Sequence, residues 1–308
     1  MAFDVKEDAF ALTDKLSPSS TRAGARVALV TCSEIPLLEP DDRLVIAALA
    51  AHRILAEPVV WDDPAVDWSA YDAVVLRSPW DYAARRDQFV AWAHGVKRLA
   101  NPAAVVEWNT DKRYLGALRD IPVVPTSFVS PSDAWAPPAG EYVIKPAIGA
   151  GSVDTGRYGP ADADAAIVHM RRLQHDGRVV MVQPYLPAVD TYGETALLYF
   201  ADPASGRLVY SHAIRKGPML QGPDAGVEGL YKAEEITARV PTPEEFDVAA
   251  RLVAQLPTGL LYARIDLIPD PGGDPVLLEL ELTEPSLFLE YSDGAAARFA
   301  AAIAALIG

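Results

Sequence analysis

The pattern of apolar runs changes character near Asn101-Pro102, and that change constrains the fold more than any other feature of the chain. Before it, strand-length runs alternate with helical stretches. RVALVTC (26–32) is a compact apolar run. Pro40-Asp41-Asp42 then opens a helix whose apolar positions Leu44, Val45, Ala48, Ala51 and Leu55 predict one buried face. EPVVWDD (57–63) and YDAVVLRS (71–78) read as strands, and 85–99 as another helix. Alternation at this spacing predicts a parallel sheet with helices on its faces. Ligands of such sheets sit beyond the carboxyl ends of the strands. Those ends are Thr31 to Glu34 and RSPWDY (77–82).

After Asn101-Pro102, strands follow strands. NTDKRYLGALRD (109–120) predicts a short capped helix, followed by the strand-like VVPTSFV, a proline-rich loop at 131–140 and EYVIKPAIGAGS. A helix over 162–174 precedes RVVMVQPYL, a strand that runs into a Pro-interrupted hinge. ETALLYF, RLVYSHAI, LYARIDLI and PVLLELE read as antiparallel strands, with a Gly/Pro loop at 217–229, a helix over 243–255 and a closing helix in AAARFAAAIAALIG. The expected division is a parallel α/β unit (26–108), a central α+β unit (109–186) and a C-terminal α+β unit (187–308). The first 25 residues lack the basic start and apolar stretch of a secretory signal and read as a flexible tail.

A chain of 308 residues, half of them apolar, has enough core for two or three such units. Its net charge of −15 argues against nucleic acid or an acidic membrane as partner, since both call for a basic face. No run approaches the roughly 20 apolar residues that span a bilayer. The single cysteine, Cys32, excludes an internal disulfide and fits a reducing cytoplasm. With no partner histidine in view, it reads as a small residue at a strand end rather than a nucleophile.

Four stretches carry chemistry. In VLLELELTEPS, Glu279 and Glu281 are two apart on a strand and share a face, with Glu284 close behind. In ARIDLI, Arg264 and Asp266 are related in the same way. Carboxylates converging from adjacent strands make a hard-oxygen site suited to Mg²⁺, the alternative being a dry ion-pair network with Arg264. Zinc does not fit, because the five histidines are scattered without ligand spacing. In YVIKPAIGAGSVDTGRYG, Lys145 precedes a turn with Gly149, Gly151 and Gly156, where backbone N–H groups can approach an anion. This is neither a Walker A loop nor a dinucleotide fingerprint, and an ordinary glycine hairpin is the competing reading. VVMVQPYL places Gln183 and free backbone groups at a hinge able to bond an adenine edge, or forms a plain turn. Three more places have a functional and a bland reading. Lys112 is a phosphate ligand or a solvated lysine. Arg215 and Lys216 hold a substrate anion or form a solvated pair. In RSPWDY, Arg77 pairs an anion, Asp81 an ammonium, and Trp80 and Tyr82 form walls, unless Ser78 or Asp81 merely caps a helix.

In this order, these parts resemble the ATP-grasp ligases over about residue 27 to the C-terminus. The resemblance implies a parallel N-terminal α/β domain with central and C-terminal antiparallel α+β domains gripping ATP. It assigns Lys112 and Lys145 to the nucleotide phosphates, Gly149, Gly151 and Ser152 to the phosphate lid, and Gln183, Tyr185 and Leu186 to the adenine hinge. It likewise assigns Glu194 to the ribose, Asp266, Glu279 and Glu281 to two Mg²⁺ ions, and Arg264 to the transferred group, with Lys145 and Arg215 as further catalytic residues. Relatives commonly carry Asn where Glu281 stands. The segments TCSEIPLLEPDD, VVWDDPAVDWSAYDAVVLRSPWDY and EPSLFLEYS are most similar to the O-ureidoserine cyclo-ligases of cycloserine biosynthesis. That similarity implies a small amino-acid-like substrate, activated through its carboxylate and closed by its own nitrogen, and is compatible with a homodimer. Two other readings keep the fold: a dipeptide- or glutathione-type ligase, and a nucleotide-binding regulatory protein without turnover. A nicotinamide oxidoreductase would need glycines after 26–32, and TCSEIP has none.

Overall fold

The computed structural model describes residues 24–226, 229–232 and 234–308. The expected tail lies, up to residue 23, outside the described residues. Ala25 already belongs to the core.

The first sheet is parallel throughout, in the order β2-β1-β3-β4. It comprises β1 (Arg26–Thr31), β2 (Leu55–Val60), β3 (Ala73–Ser78) and β4 (Leu99–Ala100). β3 is buried along its whole length, as expected of a strand covered on both faces. α1 (Pro40–Ala51) buries Asp42, Val45 and Leu49 instead of the expected face. Leu44 is exposed, and Leu55 lies beyond the helix in β2 because Arg53 turns left-handed at φ 60°. α2 is shorter than expected: a 3₁₀ turn occupies Trp80–Arg85, the helix runs Arg86–Gly95, and Leu99 belongs to β4.

The helix expected over 109–120 is two pieces. α3 (Ala103–Asn109) ends where Asn109 turns its side chain to the backbone of Leu280 and Leu282, at 2.8 and 2.7 Å. Asp111 is extended and caps a 3₁₀ turn, Lys112–Ala117, by accepting from the Arg113 N–H at 3.0 Å. This break aims Lys112 away from α3.

A second, antiparallel sheet runs β5-β8-β6-β7, from β5 (Ser127–Val129), β6 (Tyr142–Pro146), β7 (Gly156–Tyr158) and β8 (Val180–Pro184). α4 (Ala163–His175) packs Ala166, Met170 and Leu173 on it. After the short α5 (Ala188–Thr191), the third sheet runs β11-β10-β9-β12-β13. Its strands are β9 (Glu194–Ala201), β10 (Leu208–Lys216), β11 (Ile236–Arg239), β12 (Tyr262–Pro269) and β13 (Pro275–Glu281). β11 has no counterpart in the sequence reading, because ITAR is too short and half exposed to show an apolar pattern. α6 (Pro243–Val253) starts with a Thr242–Glu245 capping box. α7 (Ala295–Ile307) joins the first and third sheets, with Phe299 and Ile303 in one core with Leu29, Val45 and Leu198. Among the described residues, no helix is long and apolar enough to cross a membrane.

Register decides what the third sheet presents. Arg264 lies opposite Glu281 and Asp266 opposite Glu279 across β12 and β13, and Lys216 opposite Glu194 across β10 and β9. Charged side chains directly opposite one another across an antiparallel pair are within contact reach.

Candidate active site

A cavity of about 390 Å³ is lined by strands of the second and third sheets and by segments that follow β1 and β3 of the first, among them Glu39, Trp80 and Tyr82. Its floor is a ladder of ion pairs. The Arg264 guanidinium donates to both oxygens of Asp266, at 2.9 and 3.0 Å, and also bonds Glu281. Lys216 Nζ sits 2.7 Å from Asp266 Oδ2 and 3.0 Å from Glu194 Oε2. Lys112 Nζ lies 3.1 Å from Glu279 Oε1 and donates to the Gly149 carbonyl at 2.6 Å. Lys145 lines the cavity without an ion pair among the described residues. Burial holds its pKa below the ordinary lysine range, against the attraction of Glu279.

The electrostatics show where a further cation is wanted. Burial pushes the Glu281 carboxyl up to about 8; Arg264 opposes this, while Glu279, Asp266 and Glu284 add to it. Burial also raises Glu284, to about 7, against a Tyr82 hydrogen bond and Lys112. Burial works against the charge on Asp266 and Glu279 as well. There Arg264 with Lys216, and Lys112 with Lys145, outweigh it and hold both carboxyls below their usual range.

These residues fit Mg²⁺ in part. Glu279 and Glu281 are oxygen ligands on the cavity wall, and the crowding of negative charge around Glu281 is what a divalent ion would relieve. Asp266 departs from the expected ligand set. It is 1% exposed, saturated by Arg264 and Lys216, and absent from the cavity lining. Among the described residues, no three acidic, histidine or cysteine side chains form a ready-made metal cluster. The floor therefore holds the ion-pair network and the hard-oxygen wall together, not one or the other.

The glycine loop, expected as the phosphate lid, and the second Gly/Pro loop with the residues after it lie against each other. Gly151 is left-handed at φ 60°, and a Cβ there would stand 2.0 Å from the Leu230 carbonyl. Ser152 and Asp154 are also left-handed, and Asp154 is held by Arg172 and Arg178, at 2.7 and 2.5 Å. Lys232 donates its N–H to the Gly151 carbonyl at 3.0 Å and its Nζ to the Thr155 carbonyl at 2.6 Å. Tyr231 stacks edge-on against Trp80. Gly149, Gly151 and Ser152 all reach the cavity. So do Tyr231, Lys232 and Glu234, which sequence reasoning missed because their polar stretch follows a loop and has no periodicity.

Gln183, Tyr185, Leu186 and Glu194 line the cavity as expected. The Gln183 side chain is committed to Thr126 Oγ1 at 2.8 Å, and Tyr185 to Asp190 at 2.6 Å under the Arg157 guanidinium. What this hinge offers a ligand is therefore its backbone. Trp80, Tyr82 and Lys216 also line the cavity.

Three expected site residues lie elsewhere. Arg77 is fully buried, 2.9 Å from Asp42, and donates to the Leu76 and Pro285 carbonyls; the anion it pairs is internal. Asp81 accepts from Trp61 Nε1 at 2.8 Å and pairs with Arg85, does not line the cavity and does not cap its turn. Arg215, one residue from Lys216, points to the opposite face of β10, where it donates to the Tyr192 carbonyl at 2.8 Å. Cys32 is buried, and burial raises its thiol pKa, as a structural cysteine requires.

Comparison with known proteins agrees with this geometry. The family described as "D-cycloserine synthetase DcsG, N-terminal domain" matches residues 27–101. The cycloserine biosynthesis protein DcsG of Streptomyces lavendulae is 40% identical over 299 residues, covering 90% of this chain and 97% of that one. The crystal structure of D-cycloserine synthetase DcsG superposes with a TM-score of 0.78 at 36% identity, over 92% of this chain and 100% of the other. D-alanyl-alanine synthetase A from Vibrio cholerae shares the fold at 16% identity, with a TM-score of 0.64 over 93% of this chain and 98% of its own. The family uses ATP and Mg²⁺ on small carboxylate substrates. By the identity and coverage of these matches, the chain belongs to the D-cycloserine synthetase family of ATP-grasp ligases.

Proposed function

We propose that this ligase closes O-ureido-D-serine into D-cycloserine. The observation that carries the reading is one cavity where Lys216, Arg264, Glu279 and Glu281 of the third sheet face Lys112 and Lys145. ATP, when bound, supplies the phosphoryl group that activates the substrate carboxylate as an acyl phosphate, and Mg²⁺ neutralises the phosphate oxygens.

The chain's own residues account for the rest. Lys112 and Lys145 bring two cations to the phosphates, and the turn around Gly149 and Gly151 leaves backbone open to them. The backbone of 183–186 meets the adenine edge. Glu194, held by Lys216 on the cavity wall, would accept from the ribose hydroxyls. Glu279 and Glu281 would hold Mg²⁺, up to two ions, with Asp266 orienting Arg264. The planar Arg264 guanidinium faces the group being transferred. The loops at 149–155 and 229–232 exclude water that would hydrolyse an acyl phosphate. The substrate's own nitrogen then displaces phosphate and closes the five-membered isoxazolidinone ring, and water removes the carbamoyl group as CO₂ and ammonia. We further read the chain as three units divided near residues 108 and 186, working in the cytoplasm without nucleic-acid or membrane partners, and compatible with a homodimer.

The test is ADP release from Mg-ATP with O-ureido-D-serine as sole acceptor, with Lys145→Ala as control. Stoichiometric ADP and cycloserine from the wild type are expected. ADP that appears only when a second amine is added would make the enzyme an intermolecular ligase, and binding of ATP with no release for any carboxylate would make it regulatory.

A further inference from the structure

The segment after β13 carries a carboxylate for which the mechanism above has no use. Glu284 faces the cavity beside Trp80 and Tyr82. The cavity-lining acids carried by β9 and β13 have cationic partners: Glu279 has Lys112, Glu281 has Arg264 and Glu194 has Lys216. Among the described residues, no lysine or arginine forms an ion pair with Glu284. The Tyr82 hydroxyl lies close enough to its carboxyl for each to act on the other. A carboxylate half-withdrawn from water without a cationic partner is costly unless a cation reaches it.

Its place is set by contacts from β3, the turn after it, α1 and β12. The Trp80 indole N–H donates to the Glu284 carbonyl at 3.1 Å, and Arg77 donates to the Pro285 carbonyl. Arg264 Nη1 donates to the Ser286 carbonyl at 3.2 Å, and Asp41 accepts from the Leu289 and Glu290 N–H groups at 2.9 and 2.8 Å. RSPWDY and EPSLFLEYS thus lock onto each other. Neither binds nucleotide in the reading above, yet together they hold, near Arg264, a carboxylate for which no ion pair is formed among the described residues.

We propose that Glu284 anchors the α-ammonium group of the substrate and so selects an α-amino acid over the corresponding simple acid. The inference rests on the ligase reading, which brings the reacting carboxylate to Arg264. In an α-amino acid the ammonium sits on the carbon next to that carboxylate. Its partner must therefore lie beside the activating group, which is where Glu284 stands. Trp80 and Tyr82, which line the same cavity, bring aromatic rings that also suit a cation.

The experiment measures kcat and KM for O-ureido-D-serine and for its des-amino analogue with wild type, Glu284→Gln and Glu284→Asp. The Mg-ATP-induced rise in Tm reports that each variant folds and binds nucleotide. Loss of one charged hydrogen bond predicts that Glu284→Gln raises KM for the amino acid on the order of 10- to 100-fold. It leaves kcat/KM for the des-amino analogue within about threefold, and Glu284→Asp recovers part of the loss. Equal losses on both substrates, or an unchanged KM for the amino acid, would overturn the proposal. So would an amino-selective loss confined to Glu39→Gln, which alters another acid of the same cavity. If the wild type activates some other α-amino acid but not O-ureido-D-serine, the ring-closing reading fails alone. That acid and its des-amino analogue then decide Glu284. A wild type that activates no α-amino acid sinks both.

Discussion

Replacing Arg77 by Met removes the cation from a pair in which Arg77 is 0% and Asp42 3% exposed. Three donors are lost together, to Asp42, Leu76 and Pro285. Breaking one side of a buried pair costs about 3–5 kcal/mol, chiefly because the remaining charge is stranded. Unfolding entropy of about 2.1 cal/mol/K per residue gives this chain about 0.6 kcal/mol/K, so the cost corresponds to a Tm lower by about 5–8 °C. Asp42 adds a pH signature. Burial already raises its carboxyl pKa against the pull of Arg77, and loss of Arg77 raises it further. A carboxyl with a folded pKa above its unfolded value is tolerated while protonated and destabilises as pH rises through the folded pKa. Arg77→Met should therefore lose more stability at pH 8 than at pH 5. The double variant Arg77→Met/Asp42→Leu, with no charge left to strand, should return to within about 1 kcal/mol of wild type. Thermal unfolding followed by circular dichroism at both pH values measures all of this. The reasoning fails if the single variant costs under about 1 kcal/mol or the double variant is no better than the single.

Other perturbations separate site from scaffold. Gly151→Ala forces a left-handed alanine whose Cβ meets the Leu230 carbonyl, so the two loops must part. KM for ATP is expected to rise at least tenfold, and Trp80 emission to change as Tyr231 withdraws; an unaltered KM would refute the loop contact. Chelation by EDTA is expected to abolish ADP release and added Mg²⁺ to restore it. Glu279→Ala should move the Mg²⁺ midpoint upward by an order of magnitude or more, whereas a midpoint that does not move removes Glu279 from the metal site. Arg215→Ala should keep kcat/KM within about threefold, since its guanidinium faces away from the cavity; a hundredfold loss would return it to the catalytic set.

Local periodicity is enough to place Arg264 with Asp266 and Glu279 with Glu281 on shared faces, because alternation along a strand needs no knowledge of its neighbours. The same local logic identifies the strand–helix alternation of the first unit and the glycine turn after Lys145. It cannot say which charge meets which. Arg77 reads as a substrate arginine until Asp42, 35 positions away, neutralises it. Asp266 reads as a metal ligand until Lys216 and Arg264 claim both of its oxygens. Arg215 and Lys216 are equivalent in sequence, and only the β9–β10 register sends one into the cavity and the other out. Lys232 reaches the cavity because Gly151 lets its loop lie across the glycine turn, a contact without any sequence period. The sequence by itself determined the long apolar strands, their faces and the chemistry available on them, but not the short β4 and β11. Tertiary structure decided which charges remain free for a ligand, because an ion pair forms between elements brought together from distant parts of the chain.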